Sequence, residues 1–465
     1  MKVAFRVQDA LRWTRGTLLQ GDRAALVRGV SIDSRSVERG ELFVAIVGAK
    51  HDAHEFIPDA VARGAAGLVV ERGRALPETA GLPTIAVADT TRALGELAAG
   101  HRSAFAGPVV AITGSNGKTT TKEMCASILS VTAPCHRTPG NLNNQFGLPL
   151  TLLGRDEAAR SIVVELGMNH RGEIAQLVEI AKPTIGVITN IGTAHIEFLG
   201  SREEIAREKG DLIAGLPSSG AAVLNADDPL ALAQRSRTRA RVIRFGVGPD
   251  AEVRAARVER VDGRGQRIEL VTPYGSGVAL VPGLGATTAI NALAATAAAL
   301  AAGASLADVI KGLADHTGAK GRFERRDLRG GGVLIDDSYN ANPQSMEAAL
   351  RALAELKGAH RAVAILGDMG ELGATSEAAH RELGRLVRAL GIDVLIALGE
   401  RARAIAASAL DAGMPHDRVS VASDPVDAGR RAVEFLQEQD TVLVKGSRSM
   451  RMERVVEAIV GQKGN

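Results

Sequence analysis

The apolar run Val109-Val110-Ala111-Ile112 passes through Thr113 directly into Gly114-Ser115-Asn116-Gly117-Lys118-Thr119-Thr120. A strand that turns through glycines into a helix is the local unit from which parallel α/β sheets are built, so this feature narrows the fold more than any other. Gly114 and Gly117 let backbone N–H groups close on phosphate oxygens, and a helix opening near Lys118 points its positive end the same way. Ser115, Asn116 and Thr120 belong to the same cradle. Lys118 would reach the β- and γ-phosphates, and the Thr119 hydroxyl would sit on Mg²⁺. The loop is a variant of the common G-x-x-x-x-G-K-[ST] pattern, because Ile112 stands where the first glycine would be. ATP is the first ligand that these residues imply.

A chain of 465 residues has room for about three domains at ~150 residues each. Its 56 basic and 53 acidic residues nearly cancel, to a net +3, which gives no electrostatic case for nucleic acid or an anionic membrane. Cys125 and Cys135 are the only cysteines, too few for a disulfide framework or a cysteine-based zinc site. No charged segment followed by an apolar core opens the chain, so a cytoplasmic protein is expected. Residues 292–302 are apolar but short and mostly alanine, which suits a packed helix and not a membrane span.

Strand-like runs at 24–30, 42–46 and 67–70, with a helix at 57–63, make a first unit without a phosphate loop. A helical segment, 90–103, leads through Gly107-Pro108 into the loop strand and reads as a linker. Apolar runs at 162–166, 185–189 and 222–224 alternate with helical stretches, as a parallel sheet requires. Residues 251–282 alternate instead, suggesting a small antiparallel appendage. Four further strands, 333–335, 362–366, 394–398 and 442–444, end in Asp336-Asp337, Gly367-Asp368, Gly399-Glu400 and Lys445-Gly446. Ligands sit at the carboxyl ends of such strands, so these polar residues are expected to gather on the binding edge. The expected fold is α/β in three domains, 1–84, 85–316 and 317–465.

Three residues in the middle unit invite a chemical reading. Glu165 ends the run Ile162-Val163-Val164, at the same edge as the phosphate loop, where a carboxylate can hold Mg²⁺. A solvated strand-end glutamate would look the same. His195 lies just beyond the strand 185–189, where a structural hydrogen bond competes with ligation. Lys209 follows the capping box Ser201-Arg202-Glu203-Glu204, and Ile205, Leu212 and Ile213 share its helix face. A lysine within an apolar stripe either snorkels at the margin or does chemistry.

Further segments add a pattern that no single one carries. They are Asp33-Ser34-Arg35 with Leu42-Phe43-Val44-Ala45, Gly140-Asn141-Leu142-Asn143-Asn144, Glu165-Leu166-Gly167 and Asn190-Ile191-Gly192 with His195. Later in the chain come Asn291-Ala292-Leu293-Ala294-Ala295, Gly321-Arg322, the run Asp336-Asp337-Ser338-Tyr339-Asn340-Ala341-Asn342-Pro343, Leu366-Gly367-Asp368-Met369-Gly370-Glu371 and Lys445-Gly446-Ser447-Arg448. Together with the phosphate loop they resemble the Mur ligase family, the ATP-dependent amide-bond-forming enzymes of peptidoglycan precursor synthesis. Within it they most resemble the members that add D-alanyl-D-alanine.

The resemblance implies a central ATP-binding domain between an N-terminal UDP-sugar domain and a C-terminal Rossmann-like domain for the incoming dipeptide. It places Ser31, Asp33, Ser34 and Arg35 near the uridine. It gives Lys118 and Thr119 to ATP and one Mg²⁺, and Glu165 and His195 to a second Mg²⁺, joined by Lys209 as a carbamate. Asn291 would face adenine, Arg322 the phosphates and Asp337 the ribose. Asn144, Asn340, Asn342, Lys445 and Ser447 would meet the substrates, UDP-N-acetylmuramoyl tripeptide and D-alanyl-D-alanine, in an enzyme working as a monomer. Three positions depart from the family pattern: Thr287-Thr288, Gly210-Asp211, and Asp52-Ala53-His54, where an alanine puts a glycine-requiring turn in doubt. A sister ligase adding the third stem residue, or a folylpolyglutamate synthase, would share Lys118, Glu165, His195 and Lys209. An ATP-gated binding module would need neither the second metal nor the carbamate.

Overall fold

The computed structural model describes residues 2, 4–48, 50–79, 81–261 and 265–461. Three α/β units follow one another, each around its own sheet. In the central unit the strand Val109–Thr113 is buried along its whole length. It pairs in parallel with Ser161–Glu165 on one side and Ile185–Ile188 on the other. That register sets Glu165 beside Ile112 and Ile188 beside Thr113. The phosphate loop, Glu165 and the turn carrying Asn190 therefore leave the sheet at one edge, the carboxyl edge on which open α/β folds bind ligands.

Both faces of this sheet are covered, as all-parallel strands require. Met124 of helix Lys118–Leu129 and Leu293 of helix Ala286–Ala301 share the core on one face. Leu177 and Leu212, from helices Glu173–Ala181 and Arg202–Ala214, pack on the other. The alanine-rich helix is buried on nearly every side, as its composition suggested. No helix among the described residues is long and apolar enough to cross a membrane. The alternating segment is antiparallel as expected, but it extends the same sheet as strands Val253–Val261, Gly265–Thr272 and Gly275–Pro282. Its residues 262–264 lie outside the described ones.

The first unit has a five-stranded sheet. The expected strand at 24–30 is two strands, Leu26–Val27 and Val30–Ser31, because Gly29 takes φ +99° between them. Helix Thr90–Ser103 starts where the sequence suggested, with Asp89 accepting from the Arg92 N–H. It is no loose linker. Leu94, Leu97 and Ala98 are fully buried, and the helix packs against Val7–Thr14 of the first unit and against Gly147–Leu153 and Glu173–Ala181 of the central one. Its apolar stripe makes it a wall shared by two units. Ala53 opens a 3₁₀ turn capped by Asp52 and keeps negative φ, so the alanine fits there without strain.

The C-terminal sheet has six strands, with Thr441–Lys445 between Val333–Asp337 and Ala362–Gly367. Asp337 and Lys445 sit opposite each other in register.

Candidate active site

The central and C-terminal units face each other across a cavity of about 430 Å³. The phosphate loop, residues 115–120, forms one wall, joined by Asn190, Gly192, His195 and Asn291. Arg322, Asp337, Asn340, Asn342 and Lys445 form the other. Gly114 takes φ +148° and Gly117 φ +80°. A Cβ on Gly114 would collide with the Thr189 hydroxyl, and one on Gly117 with the Asn291 side-chain oxygen. Only glycine lets the loop approach its neighbours this closely.

Lys118 opens the helix, and its Nζ donates to the Gly114 carbonyl at 2.9 Å. Burial pulls its pKa down from the ordinary lysine value, while the Glu165 charge pushes it up and the Arg322 charge lowers it again. An ammonium held this way gains most from an anionic ligand. Thr119 Oγ1 donates to Glu165 Oε2 at 2.8 Å, and Asn143 Nδ2 donates to Glu165 Oε1 at 2.7 Å. Glu165 is only 1% exposed, so it is a held carboxylate and not a solvated strand end. A hydroxyl beside a carboxylate is an oxygen donor pair that suits Mg²⁺. Among the described residues no three His, Cys, Asp or Glu side chains come together to hold a metal, so a cation here would need ligand phosphates or a modified side chain as well.

Lys209 does not snorkel. It is 1% exposed on helix Arg202–Ala214, with Ile205, Leu212 and Ile213 fully buried around it. Burial drives its pKa well below the ordinary value, and the nearby Lys118 charge lowers it further. Among the described residues its Nζ has no hydrogen-bond partner. Ser201 caps this helix by accepting from the Glu204 N–H, but the expected return bond is replaced, since Glu204 pairs with Arg171 at 3.2 Å. His195 takes φ 65° and puts Nδ1 2.6 Å from Glu371 Oε2 of the C-terminal unit. This contact holds the Glu371 carboxyl below its usual range, against half-burial that raises it.

On the opposite wall Arg322 stacks over the Tyr339 ring, 3.9 Å from its centroid, and reaches Thr119 Oγ1 at 3.5 Å. Lys445 is buried and donates to Asp337 Oδ2 at 2.6 Å and to the Asn340 carbonyl at 3.0 Å. Asn342 caps helix Pro343–Leu356 through Ser345 and also donates to Asn116 Oδ1 at 2.8 Å, tying the C-terminal unit to the phosphate loop. Gln344 Oε1 accepts from the Thr193 hydroxyl at 2.9 Å in the same interface.

Other expected residues lie elsewhere. Asp33 binds Arg35 through two side-chain bonds of 2.9 and 2.8 Å, which lowers its pKa to about 2, and Ser31 accepts from the Asp33 N–H. Neither these three nor Ser34 lines the cavity. Asn144 Oδ1 accepts from the Phe146 and Gly147 N–H groups at the start of helix Gly147–Leu153, and Ser447 Oγ accepts from the Gly370 N–H at 2.7 Å. The strand-end carboxylates also divide. Asp337 faces the cavity, whereas Asp336, one residue earlier and so on the other face of the strand, binds Arg326 at 2.9 Å. Asp368 accepts from the Ala402 N–H.

Residue-level reading missed Asn143, Thr138, Asn190, Asp228 and Glu371. Thr138 Oγ1 accepts from the Glu165 N–H, Asn190 brackets Asn116 with two bonds of 3.0 Å, and Asp228 accepts from the Ile191 N–H at 2.6 Å. Asn143, Asn190 and Glu371 lie inside segments already singled out, and Asp228-Pro229 carries the signal of a helix start.

Residues 26–102 match the Mur ligase family catalytic domain, 112–299 the Mur ligase middle domain, and 321–448 the Mur ligase glutamate ligase domain. The chain is 40% identical to the UDP-N-acetylmuramoyl-tripeptide--D-alanyl-D-alanine ligase of Escherichia coli, over 92% of this chain and 93% of that one. Among solved structures it resembles MurF from Acinetobacter baumannii, at 35% identity and a TM-score of 0.88 over 99% of both chains. It also resembles MurF from Thermotoga maritima in complex with ADP, at 28% identity and a TM-score of 0.83 over 94% of this chain and 98% of that one. With the family's three domains matched in order and a full-length relative at this identity, the chain belongs to the Mur ligase family.

Proposed function

We propose that this chain uses ATP to join D-alanyl-D-alanine to UDP-N-acetylmuramoyl tripeptide, giving UDP-N-acetylmuramoyl pentapeptide, ADP and phosphate. The observation that carries this reading is one cavity in which Lys118 and Thr119 of the phosphate loop face Arg322, Asp337 and Asn291, in a chain whose relatives bear that ligase name. The units 1–84, 85–316 and 317–465 would hold the UDP-sugar, the ATP and the dipeptide, in a cytoplasmic step of peptidoglycan precursor synthesis.

A carboxylate is a poor electrophile, so the terminal carboxylate of the tripeptide attacks the γ-phosphorus of ATP. The bond to the ADP oxygen breaks and an acyl phosphate forms. The dipeptide amine then adds to the acyl carbon, loses a proton, and phosphate leaves. Lys118 swings from the Gly114 carbonyl to the phosphates, whose negative charge favours its ammonium form. Arg322, fixed on Tyr339, adds positive charge from the opposite wall, and Asp337 meets the ribose while Asn291 meets adenine. Such catalysis is positioning and electrostatics, because phosphoryl transfer leaves little covalent work to the protein.

Thr119, Glu165 and His195 would hold Mg²⁺, which offsets charge on the transferring phosphoryl group. Lys209 fits a carbamate, since burial favours its neutral amine, the form that reacts with CO₂, and the product is an anion that a cation can bind. Closure of the C-terminal wall through Asn342 excludes water, which would otherwise hydrolyse the acyl phosphate. The test is phosphate release with Mg²⁺, ATP and UDP-N-acetylmuramoyl tripeptide, with and without D-alanyl-D-alanine, and mass spectrometry of the product. Dipeptide-dependent release with a UDP-pentapeptide formed is expected. Nucleotide binding without ligation of any acceptor would favour a binding module instead.

A further inference from the structure

Lys122 is fully buried, and the mechanism gives it no part. It lies one turn beyond Lys118 on the phosphate-loop helix. Its Nζ donates to the carbonyls of Thr138 at 2.7 Å and Gly140 at 3.0 Å, and lies 2.8 Å from Glu123 Oε1. Two ammonium protons thus have carbonyl acceptors, and the charge has an ion-pair partner. Glu123 is itself engaged, with Oε2 2.7 Å from Arg137 Nε. A methionine would fill the same space without the penalty of burying a charge, so packing alone does not call for a lysine here.

The segment that Lys122 grips is the one that holds Glu165. Thr138 Oγ1 accepts from the Glu165 N–H at 3.0 Å, and Asn143 donates to Glu165 Oε1. Thr119, three residues before Lys122 on the same helix face, donates to Glu165 Oε2. The contacts close a ring: the helix holds one carboxylate oxygen directly through Thr119, and the segment it anchors through Lys122 holds the other oxygen and the backbone.

We propose that Lys122 is a positioning residue for Glu165, acting through residues 138–143, and so sets how tightly the site takes a divalent cation. The proposal rests on the reading of Thr119 and Glu165 as cation-holding groups. Outer groups that orient a ligand carboxylate change metal affinity by roughly 10–100-fold when lost. The segment freed by removing Lys122 would let the carboxylate leave its single orientation.

The test measures Mn²⁺ binding to the full chain by electron paramagnetic resonance, with a non-hydrolysable ATP analogue present, in wild type, Lys122→Met, Thr138→Val and Glu165→Gln. Metal-free nucleotide affinity and Tm are measured alongside. Lys122→Met and Thr138→Val are each expected to weaken Mn²⁺ about tenfold or more, with metal-free nucleotide affinity changed less than twofold. Equal Mn²⁺ binding by wild type and Glu165→Gln would overturn the cation reading itself. Loss in Glu165→Gln with binding within twofold of wild type in the other two variants would overturn the role of Lys122 alone. A merely structural lysine would lower Tm and leave the Mn²⁺ affinity of the folded protein unchanged. If Lys122→Met does not fold, Thr138→Val decides by the same criterion.

Discussion

On the central side of the cavity the candidate site groups are fixed by the sheet itself, because Glu165 pairs in register with the strand that becomes the phosphate loop. Its carboxylate, Thr119, Lys118 and Lys209 are packed among buried neighbours of one unit. On the C-terminal side Arg322, Asp337 and Lys445 are ordered by their own unit, and that wall meets the central one through polar side chains such as Asn342 on Asn116 of the loop and Gln344 on Thr193. The difference teaches how the labour divides. One wall holds its charged groups within a single packed unit, and to part from it the other would have to break the Asn342 and Gln344 hydrogen bonds together with the Arg322–Thr119 and His195–Glu371 contacts.

The sharpest way to break this comparison is Lys118→Met, which should cost roughly 10²–10³-fold in kcat/KM without lowering Tm. Burial depresses Lys118 below the ordinary lysine value of 10.5, so the unfolded chain binds more protons. Stability of the unliganded protein should therefore rise with pH toward that value, and less steeply in the variant. A clear fall in Tm would instead make Lys118 a structural residue. Lys209→Ala should lose about a hundredfold in activity and regain part of it with added short carboxylates. Full activity of the unrescued variant would sink the carbamate.

A smaller effect is expected on the parting wall. Asn342→Ala removes a helix cap worth about 1 kcal/mol and the bond to Asn116. The KM for ATP should rise about tenfold, or ~1.4 kcal/mol, with a more open shape by small-angle scattering. An unchanged KM and shape would mean that closure does not depend on this contact. The least effect on catalysis should come from His101, buried beside Phe5 and Trp13 and away from both walls. Burial lowers its pKa from 6.5 to about 4. Its stabilising effect is complete above pH 6.5 and fades as pH falls toward 4, so acid should lower Tm in wild type and less in His101→Phe, with relative kcat/KM at neutral pH unchanged. Equal acid sensitivity in both proteins would remove His101 from the account.

Most of the central wall was legible in advance. The stripe of Ile205, Leu212 and Ile213 put Lys209 on an apolar face but left snorkelling and burial both open, and the structure buries it, while the run ending at Glu165 already placed its carboxylate at the edge of the loop. The linker reading of helix Thr90–Ser103 failed because amphipathic spacing shows that a helix buries a face and not against what; here the face is shared by two units. The binding-edge reading of Asp336 failed because a strand alternates its faces, and nothing local says which of two adjacent aspartates points outward. Asn144 and Ser447 accept from neighbouring backbone N–H groups, contacts that residue type and spacing did not announce.

The sequence by itself determined the glycine-bearing strand-loop-helix, the α/β class, the order of the three units and the polar residues proposed for chemistry, because these follow from residue type, period and short spacing. Tertiary structure alone decided that Asn342 meets Asn116 across 226 positions of sequence, that Glu371 stands against His195, and that Lys122 secures the segment which holds Glu165. Such pairings depend on sheet register and on which faces close against each other, and those are set by the packing of the whole chain.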